Sequence, residues 1–117
     1  MKELSAEVEI EAPAERVWQV LTDFAKFPEW NPFIRQLSGE VRTGAKLHVR
    51  LEPTGGRGMS FSPKMLIVEP NRELRWLGRL FMPGLIDGEH SLIIEPLDEK
   101  RVRFTQREKF TGLLAHS

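Results

Sequence analysis

From residue 34 to residue 110 the chain reads as strand and turn, and apart from the opening of a helix at 111–115 only residues 13–27 carry apolar side chains at helical spacing. A fold with so little helix must make its core from the apolar faces of strands, with the helical piece laid against them. Ahead of the helix, Leu4, Ala6, Val8 and Ile10 alternate with Ser5, Glu7, Glu9 and Glu11, the period of a strand with one wet face. Pro13 suits the first turn of a helix. Val17, Trp18, Val20, Leu21 and Phe24 then place a helix over about 13–22, with Val17, Val20, Leu21 and Phe24 as its core stripe. A second short helical piece is expected over 24–27, stopped by Pro28.

The strands follow one another with clear punctuation. One is expected over 34–42, followed by a turn at Arg42, Thr43, Gly44 and Ala45. Leu47, Val49 and Leu51 alternate with His48 and Arg50 in the next. A glycine-rich loop at 53–58 leads to a strand over 61–69, and Pro70 and Asn71 turn the chain into another over 73–79, with Leu74, Trp76 and Gly78 on one face. After a connection at 81–85, strands 89–96 and 101–110 form a hairpin around Asp98 and Glu99. The layout is α+β: a curved antiparallel sheet of six to seven strands with two short N-terminal helices, in a single domain over residues 1–117.

Charge and composition exclude several function classes. Seventeen basic residues balance seventeen acidic ones, which argues against a broad nucleic-acid or anionic-membrane surface. The absence of cysteine removes disulfides, thiolate metal sites and cysteine nucleophiles. His48, His90 and His116 lack the spacing of a metal-ligand set, so neither a metal nor a cofactor is expected. No apolar run approaches the length of a membrane span, and a cytoplasmic location is expected.

The last hairpin can be registered by parity alone. Val102, Phe104, Gln106, Glu108 and Phe110 share one face, while Arg101, Arg103, Thr105, Arg107 and Lys109 share the solvated one. Inward residues must oppose inward residues, which sets Ile94 opposite Phe104, Leu92 opposite Gln106 and His90 opposite Glu108. Trp76 falls on the inward face of the neighbouring strand, beside His90 or Leu92. A polar cluster of His90, Gln106 and Glu108 therefore sits on an apolar face. It can orient a ligand, act as an acid/base pair, or satisfy only itself.

Ile10, Glu11, Ala12 and Pro13, then Val17 and Trp18, Thr22 and Asp23, and Glu29, Trp30, Asn31, Pro32 and Phe33 resemble the N-terminal signature of the START-like (SRPBCC) superfamily, in its polyketide cyclase/dehydrase and lipid-transport group. Glu73, Leu74, Arg75 and Trp76, then Gly88, Glu89 and His90, and the run from Phe104 to Leu114 extend the likeness along the chain. The resemblance implies a helix-grip fold, in which the sheet holds a long C-terminal helix over an apolar cavity. A helix spanning a sheet of about 30 Å takes roughly 20 residues, and about five follow the last strand, so that helix is expected to be truncated.

The expected function is binding of a small hydrophobic or aromatic ligand, lipid-like or polyketide-like, over the concave sheet. The expected contacts are Trp30, Phe33, Trp76, His90, Leu92, Phe104, Gln106, Glu108 and Phe110. A cyclase/dehydratase using His90 and Glu108 is the alternative, and whether the chain is an enzyme stays open. A third reading is self-association as a homodimer or a higher oligomer, by packing of open faces or by strand exchange, because an uncovered apolar face exceeds what monomers tolerate.

Overall fold

The fold is given by a computed structural model that describes residues 2–30, 34–51, 58–80 and 86–111. Its elements in chain order are β1 (Lys2–Ile10), α1 (Ala14–Thr22), a 3-10 helix (Phe24–Glu29), β2 (Ile34–Ser38), β3 (His48–Leu51), β4 (Met59–Phe61), β5 (Lys64–Glu69), β6 (Glu73–Leu80), β7 (Ile86–Asp98) and β8 (Arg101–Thr111). The expected positions of Phe33, of the 53–57 loop, of the 81–85 connection and of the C-terminal segment lie outside the described residues.

Five strands form one antiparallel sheet in the order β1-β8-β7-β6-β5, so the first strand lies against the last. Pairing across this sheet builds rungs of side chains on one face. One rung runs Leu4, Glu108, His90, Trp76, Met65, and the next runs Ala6, Gln106, Leu92, Leu74, Val68. Val8, Phe104 and Ile94 continue the series, followed by Ile10, Val102 and Pro96. The opposite face carries charges that answer one another: Arg101 lies 3.5 Å from Glu9, Arg103 3.2 Å from Glu95 and Arg107 3.3 Å from Glu3. That row is the solvated face expected of it, laced by ion pairs.

Among the described residues eight strands in two sheets replace the single sheet of six to seven, because two expected strands are shorter than their patterns. The strand drawn over 61–69 divides into β4 and β5 at Ser62 and Pro63. Proline has no N–H to give a ladder, and the Pro63 carbonyl accepts the Leu47 N–H at 2.8 Å as the chain leaves one sheet for the other. A lone bridge between Lys46 and Lys64 joins the sheets at that corner. The strand drawn over 34–42 stops at Ser38 because Gly39 adopts φ +129°, and a Cβ there would stand 2.9 Å from the Lys46 carbonyl oxygen. Pro28 does not stop its helix, which continues to Glu29. A 3-10 turn tolerates the loss of one N–H in so short a run.

The β7–β8 register is the one parity demands: Ile94 faces Phe104, Leu92 faces Gln106 and His90 faces Glu108. The turn itself is displaced by half a step. Asp98 pairs with Arg101, so Glu99 and Lys100 are the turn residues, and the Asp98 carboxylate accepts the Lys100 N–H at 2.8 Å. The shift between Pro96 and Asp98 leaves Leu97 as an extra residue, which restores the inward parity of everything beyond it.

α1 and the 3-10 helix lay Val17, Leu21, Phe24 and Phe27 against Leu74, Leu92, Ile94 and Val102, making one core with Ile34, Leu37, Leu47 and Val49. Val20, expected in the core stripe, is instead 39% exposed. Val17 and Leu21, four residues apart, define the buried line, and Val20 sits about 100° away from Leu21 around the helix.

Candidate functional site

Burial changes sharply along the rung that carries the polar pair. Met65 is fully buried and Trp76 is 4% exposed; the His90 side chain keeps 20% of its surface, that of Glu108 37%, and Leu4 is 52% exposed. The neighbouring rungs do the same. Leu74, Leu92 and Ile94 are buried, whereas Ala6, Val8 and Gln106 are exposed. The helices thus dry the β5–β7 part of the inner face together with Val102, and among the described residues nothing covers the stretch of β1 and β8 that carries Leu4, Ala6, Val8 and Gln106. His90 and Glu108 stand on the boundary between the two.

The imidazole of His90 is fixed from three sides. The Gln106 amide N–H donates to His90 Nε2 at 3.2 Å, which puts the ring proton on Nδ1, toward Glu108 Oε1 at 3.6 Å. The Trp76 ring lies under it with centroids 4.9 Å apart and planes inclined by 31°. Burial pushes the His90 pKa below its ordinary value, and the Glu108 carboxylate, which favours the imidazolium, offsets this only in part. The ring is therefore neutral near pH 7. Glu108 sits beyond hydrogen-bond range of it and keeps acceptor capacity for another group. Such an arrangement can bind a hydroxyl or N–H, or pass a proton to or from one.

Two aromatic rings close that end of the face. Gly78 and Gly88 oppose each other on β6 and β7. Where side chains would stand, Phe61 lies over Gly78 and Phe110 over Gly88, with ring atoms 3.5 and 3.4 Å from where each Cβ would be. At the other end, Phe104 joins Ile10, Ala12, Arg16, Val20 and Trp30 around an open groove of about 370 Å3 with an almost wholly apolar lining. Trp30 packs on Phe27 at 4.2 Å between centroids and is still 43% exposed. A larger cleft of about 650 Å3 lies elsewhere, between β2–β4 and the 3-10 helix, and its lining is mixed, with Gln36, His48, Arg50 and Ser60 beside Ala25, Leu37 and Phe61.

Of the expected contacts, His90, Gln106, Glu108 and Trp76 come together in one cluster, and Phe110 stands next to it over Gly88. Phe104 and Trp30 meet instead at the groove, and Trp76 and Leu92 are buried beside the open strip, in the part of the face that the helices cover. Phe33 lies outside the described residues. The sequence reading missed Leu4, Ala6 and Val8 as part of the same surface. Extending the parity argument from β8 to β1 finds them, because β1 pairs Leu4 with Glu108 and Val8 with Phe104. It also missed Phe61, for which no local signal exists. Among the described residues no three His, Cys, Asp or Glu side chains gather as a metal site, and no helix is long and apolar enough to cross a membrane.

A five-stranded antiparallel sheet that pairs its first strand with its last and carries two short helices after β1 has the layout of a START-like, helix-grip protein. The chain belongs to the polyketide cyclase/dehydrase and lipid transport family, whose model matches residues 1–116. No curated protein matches it. Among solved structures it is similar to a START superfamily protein from Mycobacterium smegmatis, at 20% identity and TM-score 0.77, covering 97% of this chain and 79% of that one. It is likewise similar to the aromatase/cyclase Zhui from Streptomyces sp. R1128, at 18% identity and TM-score 0.78, covering 97% and 70%. The di-domain aromatase/cyclase BexL of the BE-7585A biosynthetic pathway aligns at 14% identity and TM-score 0.75 over 94% of this chain, which spans 36% of its length. At these identities the likeness is one of fold.

Proposed function

We infer that the chain binds a small hydrophobic or aromatic ligand, lipid-like or polyketide-like, along the open β1–β8 strip of the inner face. The observation that carries this reading is the burial step across the rungs. Exposed apolar side chains at Leu4 and Val8 flank a fixed polar cluster at the water boundary, as a site with apolar walls and few convergent polar groups requires, and Trp30 is exposed at the far end of the same face. In this reading Phe104 and Phe110 flank the ligand body, and Gln106, Glu108 and His90 meet its polar group. Native mass spectrometry of freshly purified protein tests it. A retained apolar compound supports the assignment, and a protein that neither retains one nor takes up added lipids or aromatic polyketides sinks it.

The contact between His90 and Glu108 favours a second reading, a cyclase/dehydratase that moves a proton through this pair. The double substitution His90→Gln with Glu108→Gln separates the two: lost turnover with binding retained identifies the enzyme. The exposed leucine and valines also suit pairing of two open faces in a homodimer. A monomer at every concentration in sedimentation velocity removes that partner.

A further inference from the structure

The groove between α1 and the sheet contains one charged residue, and its position selects among apolar ligands. Its floor is Ile10, Ala12 and Phe104, and its walls are Val17, Val20 and Leu21 of α1 and Trp30. The remaining lining residue is Arg16, four residues before Val20 and so on the same side of the helix. Among the described residues the Arg16 guanidinium makes a single long contact, 3.5 Å from Nη1 to Gln19 Oε1, and no carboxylate of theirs lies within 4.0 Å of it. Asp23 and Glu29 line an adjoining cleft with Lys26, of which Arg16, Val20 and Trp30 are also walls, and neither carboxylate pairs with Arg16. A planar cation with spare donors at the rim of an apolar groove is complementary to an amphiphile with one anionic end.

We propose that the groove takes an amphipathic carboxylate, its apolar body on Phe104, Val20 and Trp30 and its carboxylate on Arg16. The proposal rests on the ligand-binding reading above and deepens it by fixing the chemical class of the ligand. The volume, about 370 Å3, is near the lower end of the range for small-molecule pockets, which favours a single slim chain or one ring system. Arg16 is exposed on α1 and outside the core, so it can be replaced without loss of the fold.

The test is displacement of the neutral dye Nile red from the full chain by dodecanoate, dodecanol and dodecyltrimethylammonium, each below its micellar concentration. Dodecanoate is expected to bind about fivefold or more tightly than dodecanol, as a charge-assisted bond at a partly exposed site provides, with the cation weakest. In Arg16→Gln the carboxylate preference disappears while dodecanol binds as before, and Arg16→Lys restores part of it. Equal binding of dodecanoate and dodecanol to the native chain overturns the proposal and leaves the ligand-binding reading standing. A preference that survives in Arg16→Gln also overturns it, by placing the carboxylate elsewhere. Failure of all three compounds to displace the dye removes both readings together.

Discussion

Leu4 and Leu74 are the same residue type on the same face of the same sheet, and truncating each to alanine measures how open that face is. Leu74 is fully buried, in the core with Leu92 and Val17, whereas Leu4 is 52% exposed on the edge strand. Full burial of a leucine contributes about 1.5–3 kcal/mol by transfer alone. The cavity left by Leu74→Ala raises the loss to about 2–5 kcal/mol. Leu4→Ala gives up roughly half of a transfer term and leaves no enclosed cavity, so about 0.5–1 kcal/mol is expected. The difference, about 1–4 kcal/mol, corresponds to a gap of roughly 4 °C or more in Tm for a domain of this size. Urea denaturation at low micromolar protein, followed by tryptophan fluorescence, reads both values. Leu4→Ala costing as much as Leu74→Ala under those conditions would refute the open strip. If the cost of Leu4→Ala grows with protein concentration, a second copy covers Leu4; if it grows with added ligand, the ligand does.

Three further outcomes follow from particular residues. His90 has its folded pKa lowered, so the unfolded chain takes up the proton first as pH falls below about 6.5, and stability declines from there until the folded pKa is passed. His90→Gln flattens that part of the curve of urea midpoint against pH, and an unchanged slope would assign it to other groups. Gly39→Ala, at φ +129° with its Cβ 2.8 Å from Leu47 Cδ2, is expected to cost more than about 2 kcal/mol. Gly44→Ala, at φ +87° with nothing within 4 Å, costs only about 1 kcal/mol of backbone strain, so thermal melts that rank the two the other way contradict the close approach at Gly39. Gly88→Ala brings a methyl to 3.4 Å from Phe110 Cε1 and so moves the ring rather than the backbone. It is expected to leave Tm within about 1 kcal/mol of stability while changing affinity for ligands that reach that end. Unchanged affinity across ligands of different length argues that the Phe110 end is not used.

The inward set of β6, β7 and β8 was legible because a period of two leaves only two faces, and one of them held Arg101, Arg103, Arg107 and Lys109. The same rule found the pairing of His90 with Glu108 although the turn lies half a step from its expected place, since the extra residue Leu97 compensates. Failures came where a long-range contact overrides local pattern. Nothing near residue 63 announces that its carbonyl will be taken by Leu47, and nothing near Gly39 announces that Leu47 will press on it. Val20 has the right spacing for the core but lies beyond the width that the sheet covers. The groove is illegible for the same reason, being assembled from α1, β1, β8 and the end of the 3-10 helix.

The pairing of β1 with β8 has a consequence in time. On the ribosome, Lys2–Ile10 emerges roughly a hundred residues ahead of its partners, from Val102 to Phe110. At about 5–20 residues per second the strand waits some 5–20 s with neither edge hydrogen-bonded into this sheet. The hairpin of β7 and β8 forms locally, whereas the β1–β8 ladder closes the longest loop in the molecule and is expected among the last contacts made. During that interval the four glutamates at positions 3, 7, 9 and 11 keep a half-apolar strand in solution and discourage it from pairing with a neighbouring nascent chain. The acidic edge of β1 thus protects the chain before it serves the fold.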